Sequence, residues 1–236
     1  MISVCMATYN GSRYIERQLR SILCQLAQAD EVILVDDHSS DATLDVVEKV
    51  GDRRIKIYRN EFNEGVIRTF ERAIKLASGD IIFLSDQDDI WYPEKVKEFM
   101  EIFDSCPDVT LVLSDAKIIN DVDEVVAESF FKGLGKFSPG IWHNITKNKY
   151  MGCTMAFRRS MVDKLLPFPE GIPMHDVWIG CINSMYGTPY FLDMPVMAYR
   201  RHSYNASPVK RRGFVQILIW RWKLVKNLCL RFILLK

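Results

Sequence analysis

The chain has 236 residues, 48% hydrophobic and 26% charged, with a formal net charge of +1. This composition supports one substantial core and excludes a disordered or low-complexity chain. The balance hides an asymmetry: Lys210, Arg211, Arg212, Arg221, Lys223, Lys226, Arg231 and Lys236 crowd the final 27 positions, where no acid occurs, leaving 23 basic and 30 acidic residues over 1–209.

Six cysteines are scattered without a CxxC pair, several inside apolar runs where a thiol packs as a small hydrophobe, so a reducing cytosol is expected. The opening "MISVCMATYN" enters a strand-like pattern without a charged leader or cleavage site, and no secretory signal is expected. No apolar run reaches 18 residues, which argues against a conventional spanning helix.

In chain order, residues 2–8 read as a strand and 14–26 as an amphipathic helix with Ile15, Leu19, Ile22, Leu23 and Leu26 at helical spacing. Residues 31–37 form a second buried strand; Ser40 or Asp41 caps a helix over 42–50 that stops at Gly51. Residues 54–60 alternate as a third strand, a turn follows, and 66–77 form a helix closed by Ser78 and Gly79. Residues 80–85 are a fourth strand and 92–103 a helix with Pro93 near its first turn. Residues 109–119 are a fifth strand, and 120–150 are loop-rich with no clear period. Residues 151–158 read as a strand, 160–166 and 175–187 as helices, and 196–205 as a last strand and loop.

Strand alternating with helix over the first hundred residues implies an α/β domain with a mostly parallel sheet covered on both faces. Ligands of such sheets bind beyond the carboxyl ends of the strands. "TYN", "DDHSS" and "SDQDD" all fall at such ends, so they are expected to converge. A solvated acidic turn and a cation seat are both open readings of Asp86, Asp88 and Asp89; Mg²⁺ and Mn²⁺ favour such oxygen ligands. Asp36 and Asp37 suit either a ribose or base contact or a cap on the next helix. Neither GxGxxG nor a Walker loop is present.

Together "VCMATYNGSRYIERQLRSILCQ", "EVILVDDHSSDAT", "NEGVIRTFERAIKLASGDIIFLSDQDDIWYPEKV" and "HDVW" resemble family 2 glycosyltransferases of the GT-A (nucleotide-diphospho-sugar transferase) fold, over roughly residues 1–205. The "DQDDIW" and "HDVW" spellings are similar to rhamnosyltransferase-like members. The resemblance implies a nucleotide-binding half over 1–118 and an acceptor-binding half over 119–205. It assigns Ala7, Tyr9 and Asp37 to the nucleoside, Arg68 to the nucleotide as a cation, and Asp86 and Gln87 to the ribose and diphosphate of a dTDP- or UDP-sugar. Asp88 becomes the principal ligand of Mg²⁺ or Mn²⁺, with His202 completing the site, while Asp89 either joins or caps the turn.

By the same resemblance Asp176 is the base of an inverting transfer, such as that of rhamnose from its dTDP donor, to a glycan or lipid-linked acceptor in cell-surface polysaccharide synthesis. A plain helix cap is the other reading of Asp176. His175 stands beside it to orient it or meet the acceptor. Arg200 or Arg201 is placed for phosphate, Trp178 for core packing or an acceptor platform, and Gly152, Cys153 and Thr154 for the border of the donor sugar. Residues 206–236 read as a basic amphipathic helix on an anionic membrane surface, at the cytoplasmic face, with packing on the core as the alternative. No nucleic-acid motif accompanies the basic stretch. A non-catalytic nucleotide-sugar or glycan-binding module and a nucleotidyltransferase are the competing functions. The second lacks its glycine-rich phosphate loop.

Overall fold

The computed structural model describes residues 1–132, 140–202 and 213–235, apart from the side chains of Trp142, His143 and Phe214. Residues 133–139 of the expected acceptor half, 203–205 of the last loop, and the cations Lys210, Arg211, Arg212 and Lys236 lie outside this range.

The first half alternates as its apolar pattern requires: β1 (Ile2–Thr8), α1 (Ile15–Leu23), β2 (Glu31–Asp36), α2 (Thr43–Val50), β3 (Ile55–Arg59), α3 (Val66–Leu76) and β4 (Ile81–Ser85). These strands pair in parallel in the order β3-β2-β1-β4. Because strand side chains alternate in direction, β1 feeds two cores. Val4 and Met6 meet Ile15, Leu19 and Ile22 of α1 on one face, while Cys5 meets Phe70, Ala73 and Ile74 of α3 on the other.

The second half adds β5 (Ile90–Trp91), α4 (Lys95–Ser105), β6 (Val109–Ile119), β7 (Val125–Ala127), α5 (Ile141–Thr146), β8 (Met155–Arg158), α6 (Val162–Leu165), α7 (His175–Tyr186), β9 (Thr188–Arg200) and α8 (Phe214–Leu234). The sheet continues β4-β8-β6-β9-β5, with β7 on β6. β8 runs antiparallel to both neighbours and β9 parallel to β6, so the nine-stranded sheet is mixed but mostly parallel.

Several boundaries differ from the sequence reading. Residues 152–154 form a 3₁₀ turn and only Met155–Arg158 is strand, because the Thr154 N–H (3.1 Å) and hydroxyl (2.8 Å) both donate back to the Met151 carbonyl. The last strand starts at Thr188, eight residues earlier than its apolar run, since its first half is only partly covered and carries Pro189 and Pro195. Residues 120–150 hold β7 and α5, both too short to show a period. Asp41, not Ser40, braces the start of α2, its Oδ1 accepting from the Thr43 N–H at 3.0 Å.

The tail helix packs on the domain. Leu224 and Leu228 join the α7 core, and the buried Arg231 guanidinium donates to the carbonyls of Lys164, Leu166 and Pro167 while lying 5.3 Å from the centre of the Trp178 ring. Arg231 is therefore withdrawn from the set of membrane-facing cations. Half a turn round the helix, at about 100° per residue, Val215, Ile219, Trp222, Leu230 and Ile233 form an exposed apolar stripe. Among the described residues no helix is long and apolar enough to cross a membrane.

Candidate active site

The acidic turn 86–89 between β4 and β5 is pinned by α1 and the residues just after it. Gln18 donates to Ser85 Oγ (2.8 Å) and the Asp86 carbonyl (3.3 Å), Ser21 Oγ accepts from the Trp91 N–H (3.0 Å), and Gln25 Oε1 from the Val96 N–H (3.0 Å). Gln18 is fully buried, and a buried polar side chain on an apolar helix face is tolerated only when so paired. Sequence reasoning passed over these three. Their signal was polar side chains at positions i, i+3 and i+7 of a helix.

At the carboxyl edge of the sheet, Asp88 Oδ2 meets His202 Nε2 at 2.6 Å, joining the β4–β5 turn to the residues after β9. Asp89 accepts the Arg200 N–H on one oxygen (3.0 Å), while its other oxygen is buried without a partner. Asp86 and Asp89 converge with the Cys153 thiol, one ligand atom from each lying within 4.8 Å of the others. Burial, then the charges of Asp88 and Asp176, push the Asp86 carboxyl up to about 7; burial, then Asp88 and Asp86, hold Asp89 well above its ordinary range. Such mutual strain among carboxylates is relieved by a cation.

The donor set suits a hard divalent ion. Carboxylate oxygens with one imidazole are ligands that Mg²⁺ or Mn²⁺ accepts, and the orphaned Asp89 oxygen is a buried acceptor in want of a partner. Asp88 and His202 would hold the ion, with Asp86 and Asp89 beside it.

Arg200 does not stand ready for phosphate. Its buried guanidinium donates to the carbonyls of Asp88 (2.7 Å) and Asn120 (2.8 Å), pairs with Asp123, and stacks 4.8 Å from the centre of Tyr14. It ties β9 to the acidic turn. Arg201 is exposed.

Asp176 opens α7, its Oδ1 accepting from the Val177 N–H (2.6 Å) and Oδ2 from the Gly152 N–H (3.3 Å). Both readings of the residue are thus compatible with one carboxylate. Burial raises its carboxyl to about 6, against the pull of those backbone donors. His175 does not orient it: the ring stacks 4.1 Å from Phe70, both nitrogens are buried without partners, and burial drops the imidazole to about 3. Trp178 is no acceptor platform, being fully buried with its indole N–H donating to the Leu165 carbonyl (3.0 Å).

The expected nucleoside end is equally structured. Asp36 accepts from the Ser39 N–H (2.9 Å) and bonds Thr8 and Ser39 hydroxyls, closing the turn after β2. Asp37 accepts from Asn60 Nδ2 and the Glu64 N–H (2.8 Å each) and the Gly65 N–H (2.9 Å), which fixes the entry to α3. Ala7, one residue before the end of β1, pairs with Val35. Tyr9 is half exposed, and its backbone forms a two-way pair with the Gln87 amide at 2.9 and 3.0 Å. Gly11 makes room for that amide, since a Cβ there would lie 2.1 Å from Gln87 Oε1. Arg68 donates to the Phe168 carbonyl at 2.9 Å and pairs with Glu71.

A mixed α/β sheet with its acids at the strand ends and a separate half-buried carboxylate at a helix start fits the GT-A fold of nucleotide-sugar transferases. The sequence profile of glycosyl transferase family 2 matches residues 3–166, and the chain belongs to that family. It is 29% identical to the dTDP-rhamnosyl transferase RfbG of Shigella flexneri, covering 94% of this chain and 82% of that one. It is also 29% identical to WfgD of Escherichia coli, a UDP-Glc:alpha-D-GlcNAc-diphosphoundecaprenol beta-1,3-glucosyltransferase, over 73% of this chain and 64% of the other. In three dimensions it resembles S. aureus TarS 1–349 in complex with UDP-GlcNAc, with a TM-score of 0.75 at 24% identity over 96% of this chain and 66% of TarS. Mannosyltransferase PcManGT from Pyrobaculum calidifontis, solved with GDP-Man and Mn²⁺, gives a TM-score of 0.65 at 19% identity over 96% of this chain and 64% of that one. The chain thus spans about two thirds of the length of three of these four.

Proposed function

We propose that the protein is an inverting, metal-dependent glycosyltransferase that moves a sugar from a nucleoside diphosphate to a glycan or lipid-linked acceptor in cell-surface polysaccharide synthesis. One observation carries the reading: the Gly152–Thr154 turn gives its first N–H to Asp176 and sets its Cys153 thiol within 4.8 Å of carboxylate oxygens of Asp86 and Asp89, the acids that flank Asp88, which supports reading Asp176 as the base and the acidic turn as the cation seat.

In this reading Asp37 and Tyr9 receive the nucleoside, Asp86 and Gln87 border the ribose and diphosphate, and Asp88 with His202 holds the ion. A bound Mg²⁺ or Mn²⁺ would neutralise charge on the departing diphosphate. Arg68 adds to this by exchanging Glu71 for phosphate. The Asp176 carboxylate takes the proton of the acceptor hydroxyl as that oxygen bonds to the anomeric carbon from the face opposite the diphosphate. The anomeric C–O bond breaks with its electron pair leaving on the nucleoside diphosphate, so the configuration inverts. The likeness to RfbG supports dTDP-rhamnose as donor, and WfgD supports a lipid-linked acceptor.

The outward stripe of α8, with Lys226 within it and Lys223 beside it, suits an anionic membrane at the cytoplasmic face. There it would bring the site to such acceptors. The test is a screen of dTDP-, UDP- and GDP-sugars with Mn²⁺ or Mg²⁺ for thermal shift and donor hydrolysis. A protein that neither binds nor hydrolyses any of them with either ion would refute the function.

A further inference from the structure

We infer that Lys95 is a positioning residue for Asp176, acting through the turn Gly152–Thr154; the inference rests on the reading of Asp176 as the base. Lys95 opens α4 and is fully buried. Its ammonium donates to the Cys153 carbonyl at 2.7 Å and to Met197 Sδ at 3.2 Å, and lies 4.2 Å from the centre of the Trp91 ring. Burying an ammonium is costly unless charge and hydrogen bonds offset the loss of water. Asp89 and Asp86 supply charge through space, yet the shortest hydrogen bond goes to a backbone carbonyl.

That carbonyl belongs to the hub of the site. One residue back, the Gly152 N–H donates to Asp176 Oδ2. The Cys153 side chain faces Asp86 and Asp89. The far side of the turn is closed by His175, whose Nε2 would lie 2.7 Å from a Cβ at Gly152. The turn is therefore gripped between α4 and α7, and Lys95 is the polar half of the grip. Without it the Cys153 carbonyl is left buried without that donor, the turn relaxes, and the Gly152 N–H moves off the carboxylate it stabilises. The groups around Asp176 are the N–H groups of Gly152 and Val177, the Asp86 carboxylate across the site, the Cys181 thiol one turn along α7, and the neighbouring unpartnered His175 ring. No cation in that set would take over from the lost donor.

The experiment is a carboxyl ¹³C NMR titration of Asp176 in the metal-free full chain, assigned by loss of the signal in Asp176→Asn. Lys95→Met is expected to raise the Asp176 midpoint by about one pH unit, and Lys95→Arg, which keeps a cation and donors, to shift it less. Gly152→Ala displaces the same turn with Lys95 intact and is expected to raise the midpoint too. In transfer assays well below the melting temperature, Lys95→Met should lower kcat about fivefold at the parent Asp176 midpoint, and about tenfold a pH unit or more below it, as one pH unit implies, with donor affinity within about twofold. An Asp176 midpoint unmoved in Lys95→Met, with only a lower melting temperature, would overturn the inference. If that variant fails to fold, an unmoved midpoint in Gly152→Ala does the same by removing the route. The titration needs no turnover, so a parent inactive toward every donor would sink the proposed function while leaving the coupling between Lys95 and Asp176 to be decided.

Discussion

Asp88 and His202 are 114 residues apart in sequence, yet Oδ2 of one and Nε2 of the other stand 2.6 Å apart. The contact closes the carboxyl edge of the sheet around the acidic turn. It also makes the two side chains separable by experiment. Asp88→Ala should abolish metal-dependent donor binding, and His202→Ala, which removes a ligand and the partner of Asp88, should weaken Mn²⁺ by at least about tenfold, the lower bound for losing even an outer-shell partner. Calorimetric titration with Mn²⁺ in the presence of a nucleoside diphosphate reads both. Parent-like Mn²⁺ affinity in Asp88→Ala would remove that residue as a ligand.

Asp176→Asn keeps the size of the side chain and one of its two backbone bonds, to Val177 or to Gly152, but cannot take a proton. Transfer should fall by at least about a hundredfold, with donor affinity within about twofold by calorimetry. Because burial sets the parent carboxyl near 6 and only the ionised form is a base, the transfer rate of the parent should drop as pH falls through about 6. A flat profile between about pH 5 and 7 would contradict the assignment.

Metal-free stability has its own pH signature. Asp86, raised to about 7, and Asp89, raised well above its ordinary range, hold protons in the folded state that the unfolded chain has released near pH 4. The folded state therefore binds more protons across this window, and stability falls as pH rises. His175, lowered to about 3, acts in the opposite sense, but its contribution is complete by about pH 6.5; Lys95, which burial lowers to about 8, also opposes the fall toward the top of the window, where the two carboxyls outweigh it. The melting temperature in EDTA should accordingly decrease from about pH 6.5 to 8, and Mn²⁺ should recover it. A rise over that interval without metal would contradict the buried acid cluster.

The outer face of α8 can be tested without touching its inner one. Ile219→Asp with Trp222→Asp should reduce pelleting with phosphatidylglycerol vesicles about tenfold while leaving the melting temperature within about 2 °C, as exposed positions allow. Unchanged pelleting would refute the membrane surface.

Gly11→Ala should act on the donor and not on the fold. The added methyl displaces the end of the Gln87 side chain, a flexible group, and with it the two hydrogen bonds to Tyr9. Donor affinity should fall several-fold while stability changes by less than about 1.5 kcal/mol. Unaltered donor binding would separate the Gln87 clamp from the nucleotide site.

What could be read directly from the residues was whatever repeats at short range. Val32 to Val35 and Ile81 to Leu84 are buried on both sides and so spell continuous apolar runs, and α1 and α3 bury one stripe each. The clustering of polar strand ends followed from topology. Three features did not. β5 has two residues, so no period can mark it. The first half of β9 is interrupted by prolines and partly exposed. The union of Lys95, Cys153 and Asp86 spans distant segments and depends on a 3₁₀ turn that apolar alternation around "MGCTMAFR" disguises as strand. Arg200 was misjudged for a related reason: nothing in "YRRH" distinguishes an arginine that threads under the turn from one that meets solvent.

Arg231 has a practical corollary for anyone shortening this polypeptide. A truncation ahead of α8 would strip the guanidinium from three carbonyls at once and uncover the indole of Trp178, which shares a helix with Asp176. Loss of activity or of vesicle binding in such a fragment would then report a damaged scaffold, so the amphiphilic segment has to be probed by surface point changes with the cap left in place.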